Sequence, residues 1–264
     1  MADPKTDIEI AGLPEFWRRV GAAGHAVLLL DYDGTLAPFH PDRMQAAPLD
    51  GVLTALAQLE SLDNTTVALV SGRPVAEIQQ LTGLDSIIIA GTHGFELFRP
   101  GNGVSSAALP RGAVETLDSI EGVATGIVGP DLTERKIATV ALHTRRLSDH
   151  DADVAASAFR ERAGPLIGTD LELRDFDGGV EARVQGRDKG VAIREIIAEL
   201  PPADLVVYIG DDDTDEDAFR ALPDHGIGIK VGPQEATTAA DGRLATCDDV
   251  LQFLTDWIAT RTCQ

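Results

Sequence analysis

The chain has 264 residues, 44% of them hydrophobic, enough for one large domain or two modest ones with a sizeable core. Its two cysteines exclude a disulfide framework and a zinc cluster, no apolar run is long enough to span a membrane, and the N-terminal residues show no secretory signal, so a reducing cytoplasm is the expected setting. Asp plus Glu number 43 against 22 Lys plus Arg; the formal net charge of −21 excludes nucleic acid and anionic membrane as partners and obliges an anionic substrate to find a locally basic or metal-bearing site.

Residues 13–20 predict a short helix. The apolar run Ala26-Val27-Leu28-Leu29-Leu30 then reads as a buried parallel strand ending directly in Asp31-Tyr32-Asp33-Gly34-Thr35. Two close anions at a strand end repel each other unless a metal or a proton neutralises them. A turn-forming strand cap is the plainer account of Asp and Gly there. Residues 49–59 carry a helical apolar stripe. Residues 66–70 read as a second strand, ending in Ser71-Gly72-Arg73-Pro74, and Pro74 suits the first turn of a helix. Residues 87–90 read as a third strand, ending in Gly91-Thr92-His93-Gly94. This β-α-β-α-β rhythm predicts a doubly wound, Rossmann-like α/β core with a parallel sheet.

The rhythm breaks over residues 99–186, which predict an inserted, smaller α+β cap domain between core parts 1–98 and 187–264. Within it, 99–109 reads as turn or linker, 135–145 as one strand and 152–163 as a helix. Strands at 171–174 and 180–184 flank the hairpin signal Asp175-Phe176-Asp177-Gly178-Gly179. The parallel pattern resumes after Lys189 with a helix at 192–200 and a buried strand at 205–209. The acidic run Gly210-Asp211-Asp212-Asp213-Thr214-Asp215-Glu216-Asp217 follows, then a strand at 227–231 and a closing helix at 250–258.

In a parallel sheet the strand ends share one edge, where ligands bind. Asp31, Asp33, Ser71 and the acidic run can therefore converge there. Some of those acids suit a helix N-terminus, but three consecutive aspartates exceed what a cap requires. A carboxylate excess calls for a hard divalent cation, and oxygen ligands with a phosphate suit Mg2+. A carboxylate nucleophile beside such a site suggests phosphoryl transfer. Ser71 can donate a hydrogen bond to a phosphate oxygen, and Lys189 can neutralise another.

The ordered set Asp31-Tyr32-Asp33-Gly34-Thr35-Leu36, Ser71-Gly72-Arg73, Lys189-Gly190 and Gly210-Asp211-Asp212 resembles the four motifs of haloacid-dehalogenase-like phosphatases. Ala37-Pro38, Ala90-Gly91-Thr92-His93-Gly94, Glu134-Arg135-Lys136, His143-Thr144-Arg145, Glu181-Ala182-Arg183 and the stretch from Gly210 to Phe219 look like the trehalose-6-phosphate phosphatase family within that superfamily. The resemblance implies a Mg2+-dependent hydrolysis of trehalose 6-phosphate through an aspartyl-phosphate. Asp31 would be the nucleophile and Asp33 the general acid, then base. Ser71 and Lys189 would clamp the phosphate. The metal would be held by Asp31, the Asp33 backbone carbonyl and Asp211, with Asp212 and Asp215 assisting. Arg73, His93, Gly94, Glu134, Lys136, His143, Arg145 and Glu181 would bind substrate.

Strict strand alternation places Glu134 and Lys136 on one face of a 135–145 strand and His143 and Arg145 on the other. Convergence on one ligand then demands a bulge or bend between residues 138 and 142; otherwise His143 is structural. Val184 stands where the family often has proline, at the exit from the cap. A small-molecule sugar phosphate is the expected partner and a monomer the expected state. The core motifs are shared with phosphatases of glucosylglycerol phosphate and sucrose 6-phosphate, and a non-catalytic sugar-phosphate sensor is the remaining reading of this fold.

Overall fold

The computed structural model describes residues 12–176, 178–233 and 237–262. Lys5, Asp177 and Cys263 lie outside the described residues. The chain divides into two compact units, Ser106–Arg187 and the segments on either side of it.

The first unit opens with helix α1 (Pro14–Ala22) and strand β1 (Ala26–Leu30). Helix α2 (Val52–Glu60), β2 (Thr65–Val70), α3 (Val75–Thr82), β3 (Ile88–Gly91), β4 (Glu96–Arg99) and β5 (Gly103–Ser106) follow. The second unit contains α4 (Ala113–Val128), β6 (Thr133–Arg135), β7 (Thr139–His143), α5 (Asp149–Ala163), β8 (Leu171–Phe176) and β9 (Gly179–Val184). The chain then returns to the first unit with α6 (Lys189–Glu199), β10 (Leu205–Gly210), α7 (Asp215–Ala221), β11 (Gly226–Val231), β12 (Gly242–Leu244) and α8 (Cys247–Thr262).

The large sheet has the order β12-β11-β10-β1-β2-β3-β4-β5 and is parallel from β12 through β3. Alternation along its buried strands divides the core in two. Ala26, Leu28 and Leu30 join Leu56, Phe253 and Trp257 on the α1/α2/α8 side. Val27 and Leu29 join Ile193, Ile196 and Phe219 on the α6/α7 side. Strand order runs away from β1 in both directions, through β2 to β3 and through β10 to β12. The β1/β10 junction is thus a topological switch point, where such sheets bind ligands.

Three stretches differ from expectation, the first two upstream of β6. The 99–109 region is not all linker: β3 pairs antiparallel with β4, and β5 adds the edge strand after a turn at residues 100–102. Helix α4 had no clear signal, because Thr, Val and two glycines dilute the stripe formed by Leu117, Ile120 and Ala124.

In the second unit, β6-β7-β9-β8 form an antiparallel sheet. Val140, Leu142, Val180, Ala182 and Val184 lie on its apolar face, and α4 and α5 pack against β7 and β9. The expected 135–145 strand is two strands: the chain reverses over residues 136–138, with the Lys136 N–H bonded to the Thr139 carbonyl at 2.9 Å. That reversal resets the alternation. Glu134 pairs with Ala141, and Ala141 with Glu181. Directly paired residues share a face, so Glu134, His143 and Glu181 lie on one side with no bulge between residues 138 and 142.

Candidate active site

The first unit assembles its polar cluster from three strand ends and two helix starts. Asp31 follows β1, its N–H bonded to the Ile209 carbonyl at 2.9 Å. The next residues form a tight turn in which Leu36 and Ala37 donate to the Tyr32 carbonyl at 2.9 and 3.0 Å. Gly34 has φ +70°, and a Cβ there would overlap the Asp211 carboxylate. The turn therefore requires glycine twice over, once for the backbone and once for the neighbour.

Lys189, the first residue of α6, is 2% exposed and lies 2.9 Å from Asp31 and 2.6 Å from Asp215. Asp215 is wholly buried. Besides Lys189 it accepts the Tyr208 hydroxyl and, at 2.8 Å, the Asp212 N–H. Gly210 leaves room for that carboxylate, and Gly190 lets α6 approach the Asp217 backbone of α7. Asp31, Asp211 and Asp215 each offer a carboxylate oxygen, all within 4.8 Å of one another.

Two of these carboxylates titrate abnormally. Burial pushes Asp31 well above the usual carboxylate range against the pull of Lys189, and Asp215 and Asp211 add to the rise. Asp211 is pushed up to about 7, by burial first and by Asp215 second. Burial alone would lower Lys189, but Asp215 and Asp31 outweigh it and hold the ammonium charged. One cation among three clustered carboxylates leaves an excess of negative charge. Asp211 Oδ1 is buried and has no hydrogen-bond partner. An all-oxygen donor set with an unengaged buried acceptor fits a hard divalent ion; Asp31 and Asp211 are its natural ligands, since Asp215 is committed to three donors.

The other expected core residues fall into four groups. Ser71 is buried at the end of β2, beside β1, and its Oγ accepts the Arg73 N–H at 3.1 Å. Asp33 turns toward Arg73, whose guanidinium grips it through two bonds of 2.6 and 2.7 Å and also donates to the Arg43 carbonyl. Arg73 thus acts on the site through Asp33. The Asp212 carboxylate stays within its own loop, accepting the Asp213 N–H at 2.7 Å. His93 and its neighbour Thr92 both have left-handed backbones, φ 52° and 48°, uncommon for non-glycine residues and a strained state for a β-branched one. The His93 ring covers Gly72, where a Cβ would sit 2.7 Å from the imidazole, and Gly94 lies against Ala192 of α6.

Three supporting residues carried no signal of their own in the sequence. Tyr208 sits inside an apolar strand run, yet a buried hydroxyl needs a partner, and it finds Asp215. The Glu96 carboxylate accepts from the Val75 N–H and the Thr92 hydroxyl, bracing the strained turn. The Cys247 thiol donates to the Gly34 carbonyl at 3.2 Å, and burial raises its pKa.

In the second unit His143 lies 2.9 Å and Lys136 3.6 Å from Glu134. Arg145 runs across Gly178, where a side chain would collide with it. Glu181 is buried between Ala141 and Arg174 in register. Arg183 and Arg174 both hold Glu172, at 2.5 and 2.9 Å. The sheet face opposite the apolar one carries carboxylates and cations, interrupted by Thr139, Ala141 and Phe176.

A family model described as trehalose-phosphatase matches residues 29–246. The chain is 35% identical to a trehalose-phosphate phosphatase of Mycobacterium marinum over 234 residues, 83% of this chain and 56% of that one. It is also 35% identical to a Mycobacterium tuberculosis protein described as an uncharacterized glycosyl hydrolase, over 90% of this chain but 18% of that one. It thus spans about half the length, or less, of these curated relatives. The C-terminal domain of a Candida albicans trehalose-6-phosphate phosphatase shares the fold at TM-score 0.81 and 22% identity, covering 96% of this chain and 98% of that one. A trehalose-6-phosphate phosphatase related protein matches at TM-score 0.69 and 27% identity, over 87% of this chain and 95% of that one. Among the described residues, no helix is long and apolar enough to cross a membrane.

Proposed function

This chain belongs to the trehalose-phosphatase family, and from that premise we propose that it hydrolyses trehalose 6-phosphate to trehalose and inorganic phosphate, with Mg2+ as its cofactor. The observation that carries the proposal is the buried Asp31 carboxylate, held 2.9 Å from Lys189 with Asp211 and Asp215 alongside. Asp31 is the nucleophile: its oxygen bonds to phosphorus as the bond from phosphorus to the sugar oxygen breaks. Asp33 protonates that leaving oxygen, then takes a proton from the water that hydrolyses the acyl phosphate. Ser71 and Lys189 hold the phosphate oxygens. Asp31, the Asp33 carbonyl and Asp211 would hold Mg2+, with Asp215 and Asp212 orienting them. When bound, Mg2+ acts as a Lewis acid on the phosphoryl oxygens. Arg73 keeps the Asp33 carboxylate oriented.

Sugar recognition is assigned to Glu134, Lys136, His143, Arg145 and Glu181, with Ser106–Arg187 as the lid domain. Carboxylates accept and cations donate several hydrogen bonds each, which suits a polyhydroxyl ligand. Phosphate release across a sugar-phosphate panel, with and without Mg2+, tests the reading. Trehalose 6-phosphate is expected to give the highest kcat/KM. A rank below glucose 6-phosphate or sucrose 6-phosphate would remove the substrate assignment, and unchanged turnover in chelator would remove the metal.

A further inference from the structure

Lys230 is the second deeply buried lysine of the first unit, only 5% exposed, and the reaction outlined above gives it no part. It lies in β11, in register with Gly210, the last residue before the acidic loop. Its Nζ donates to the Asp212 carbonyl at 2.8 Å, whereas its nearest carboxylate, Glu216, is 3.9 Å away. Glu216 is otherwise engaged, accepting the Thr238 hydroxyl at 2.6 Å and the Ala239 N–H at 2.7 Å. The ammonium is therefore aimed at a backbone carbonyl in preference to an acid. Burying a charged amine is costly unless the contact it makes is worth having.

That contact completes a two-sided clamp. The Asp212 N–H is held by Asp215 Oδ2 at 2.8 Å, which fixes the peptide between Asp211 and Asp212. Lys230 holds the Asp212 carbonyl and so fixes the peptide that follows. Asp211 Oδ1 has no hydrogen bond to steer it. The aim of that carboxylate is thus shared between its contact with Asp31 and the backbone of its loop, and the loop is held by Asp215 on one side and Lys230 on the other. We propose that Lys230 is a positioning residue of the divalent-cation site, presenting Asp211 by pinning the Asp212 carbonyl. The inference rests on the proposed Mg2+ site.

Electrostatics makes the test decisive in sign. A lysine near a cation site repels the cation, so if charge alone mattered its removal would tighten binding. If positioning dominates, removal weakens it, as loss of a supporting partner typically does, by roughly 10-fold or more. The measurement is Mg2+ titration of the substrate-free, full chain by isothermal calorimetry, for wild type, Lys230→Met and Lys230→Arg. Lys230→Met is expected to bind Mg2+ about 10-fold more weakly or worse, Lys230→Arg to recover part of the loss, and kcat in Lys230→Met to rise toward wild type as Mg2+ is raised. Should Lys230→Met not fold, Lys230→Gln, polar but too short for the carbonyl, is titrated instead and must show the same loss. Unchanged or tighter binding in a folded variant overturns the inference, whatever its melting temperature. If wild type itself binds no Mg2+, the metal reading fails and this inference with it; if wild type binds and the variants match it, only the Lys230 inference fails.

Discussion

Asp215 at the strand ends and Glu134 on the smaller sheet are both acids with cationic neighbours, yet they are held in opposite ways. Asp215 has no solvent exposure and three donors: a lysine at 2.6 Å, a tyrosine hydroxyl and a backbone N–H. Glu134 is partly exposed, with a histidine at 2.9 Å and a lysine at 3.6 Å. In the first region, low dielectric makes each missing partner expensive and each geometry stiff. In the second, the paired side chains keep 12–33% exposure, so we expect them to be freer than Asp215 to change partners when a polar ligand arrives. Rigid groups suit bond making, and adaptable ones suit recognition. Four outcomes test whether the two regions divide the work this way, and their expected sizes decrease in order.

Asp31→Asn has the largest effect. Removing the nucleophile should lower kcat by about 10^4-fold or more. The fold should survive, because Lys189 keeps Asp215 as a partner and one crowded anion is gone. Turnover by single-point assay and unfolding by urea check both halves. Retained hydrolysis would move the chemistry elsewhere.

Next is the stability of the metal-free protein against pH. Asp211 is pushed from 3.8 up to about 7, so the folded chain holds a proton that the unfolded chain releases near pH 4. Its contribution to stability is complete below pH 4 and declines as pH rises through about 7. Asp31 moves in the same direction. Each tenfold difference in proton affinity between the folded and unfolded chain is worth roughly 1.4 kcal/mol, so urea unfolding in chelator should show a loss of a few kcal/mol between pH 5.5 and 8. Mg2+ held as proposed would bind the ionised carboxylates and should shrink that gap, as should Asp211→Asn. A gap of unchanged size in Asp211→Asn would place its origin outside the cluster.

The same contrast governs what could be read from the sequence. Asp31, Asp33, Ser71, Lys189 and Asp211 were legible because each follows a buried strand or opens a helix, and a parallel sheet brings such positions to one edge. The polar face of the smaller sheet was only partly legible. Which residues share it depends on pairing register, and the reversal at residues 136–138 exchanged the faces that unbroken alternation assigned. Helix α4 was missed because its glycines and β-branched residues weaken its stripe. The Arg73–Asp33 grip and the Lys230–Asp212 contact were invisible, being long-range side-chain bonds with no local pattern.

The third outcome concerns the lid. Lys136→Ala and Glu181→Ala should each lower kcat/KM for trehalose 6-phosphate by about 10- to 100-fold, since remote contacts are used to position the reacting phosphate. Hydrolysis of a small aryl phosphate, which has no sugar to recognise, should change by less than about threefold. Parallel losses on both substrates would erase the distinction between a rigid chemical site and a recognising face.

The smallest effect, that of His143→Ala, is best read against a large one, because the same kind of edit is made in each region. Lys189→Met leaves Asp31 and Asp215 buried without their shared cation, and breaking a buried pair in this way costs about 3–5 kcal/mol at neutral pH. His143→Ala removes the ring nitrogen 2.9 Å from Glu134, but that pair is partly exposed and should contribute less than about 1 kcal/mol. Lys136 remains to face the carboxylate. Urea unfolding of the two variants at pH 7.5 gives the comparison directly. A His143→Ala loss approaching that of Lys189→Met would mean that the lid face is as rigid as the strand-end cluster, and sugar recognition would then have to use a preformed pocket instead of groups free to exchange partners.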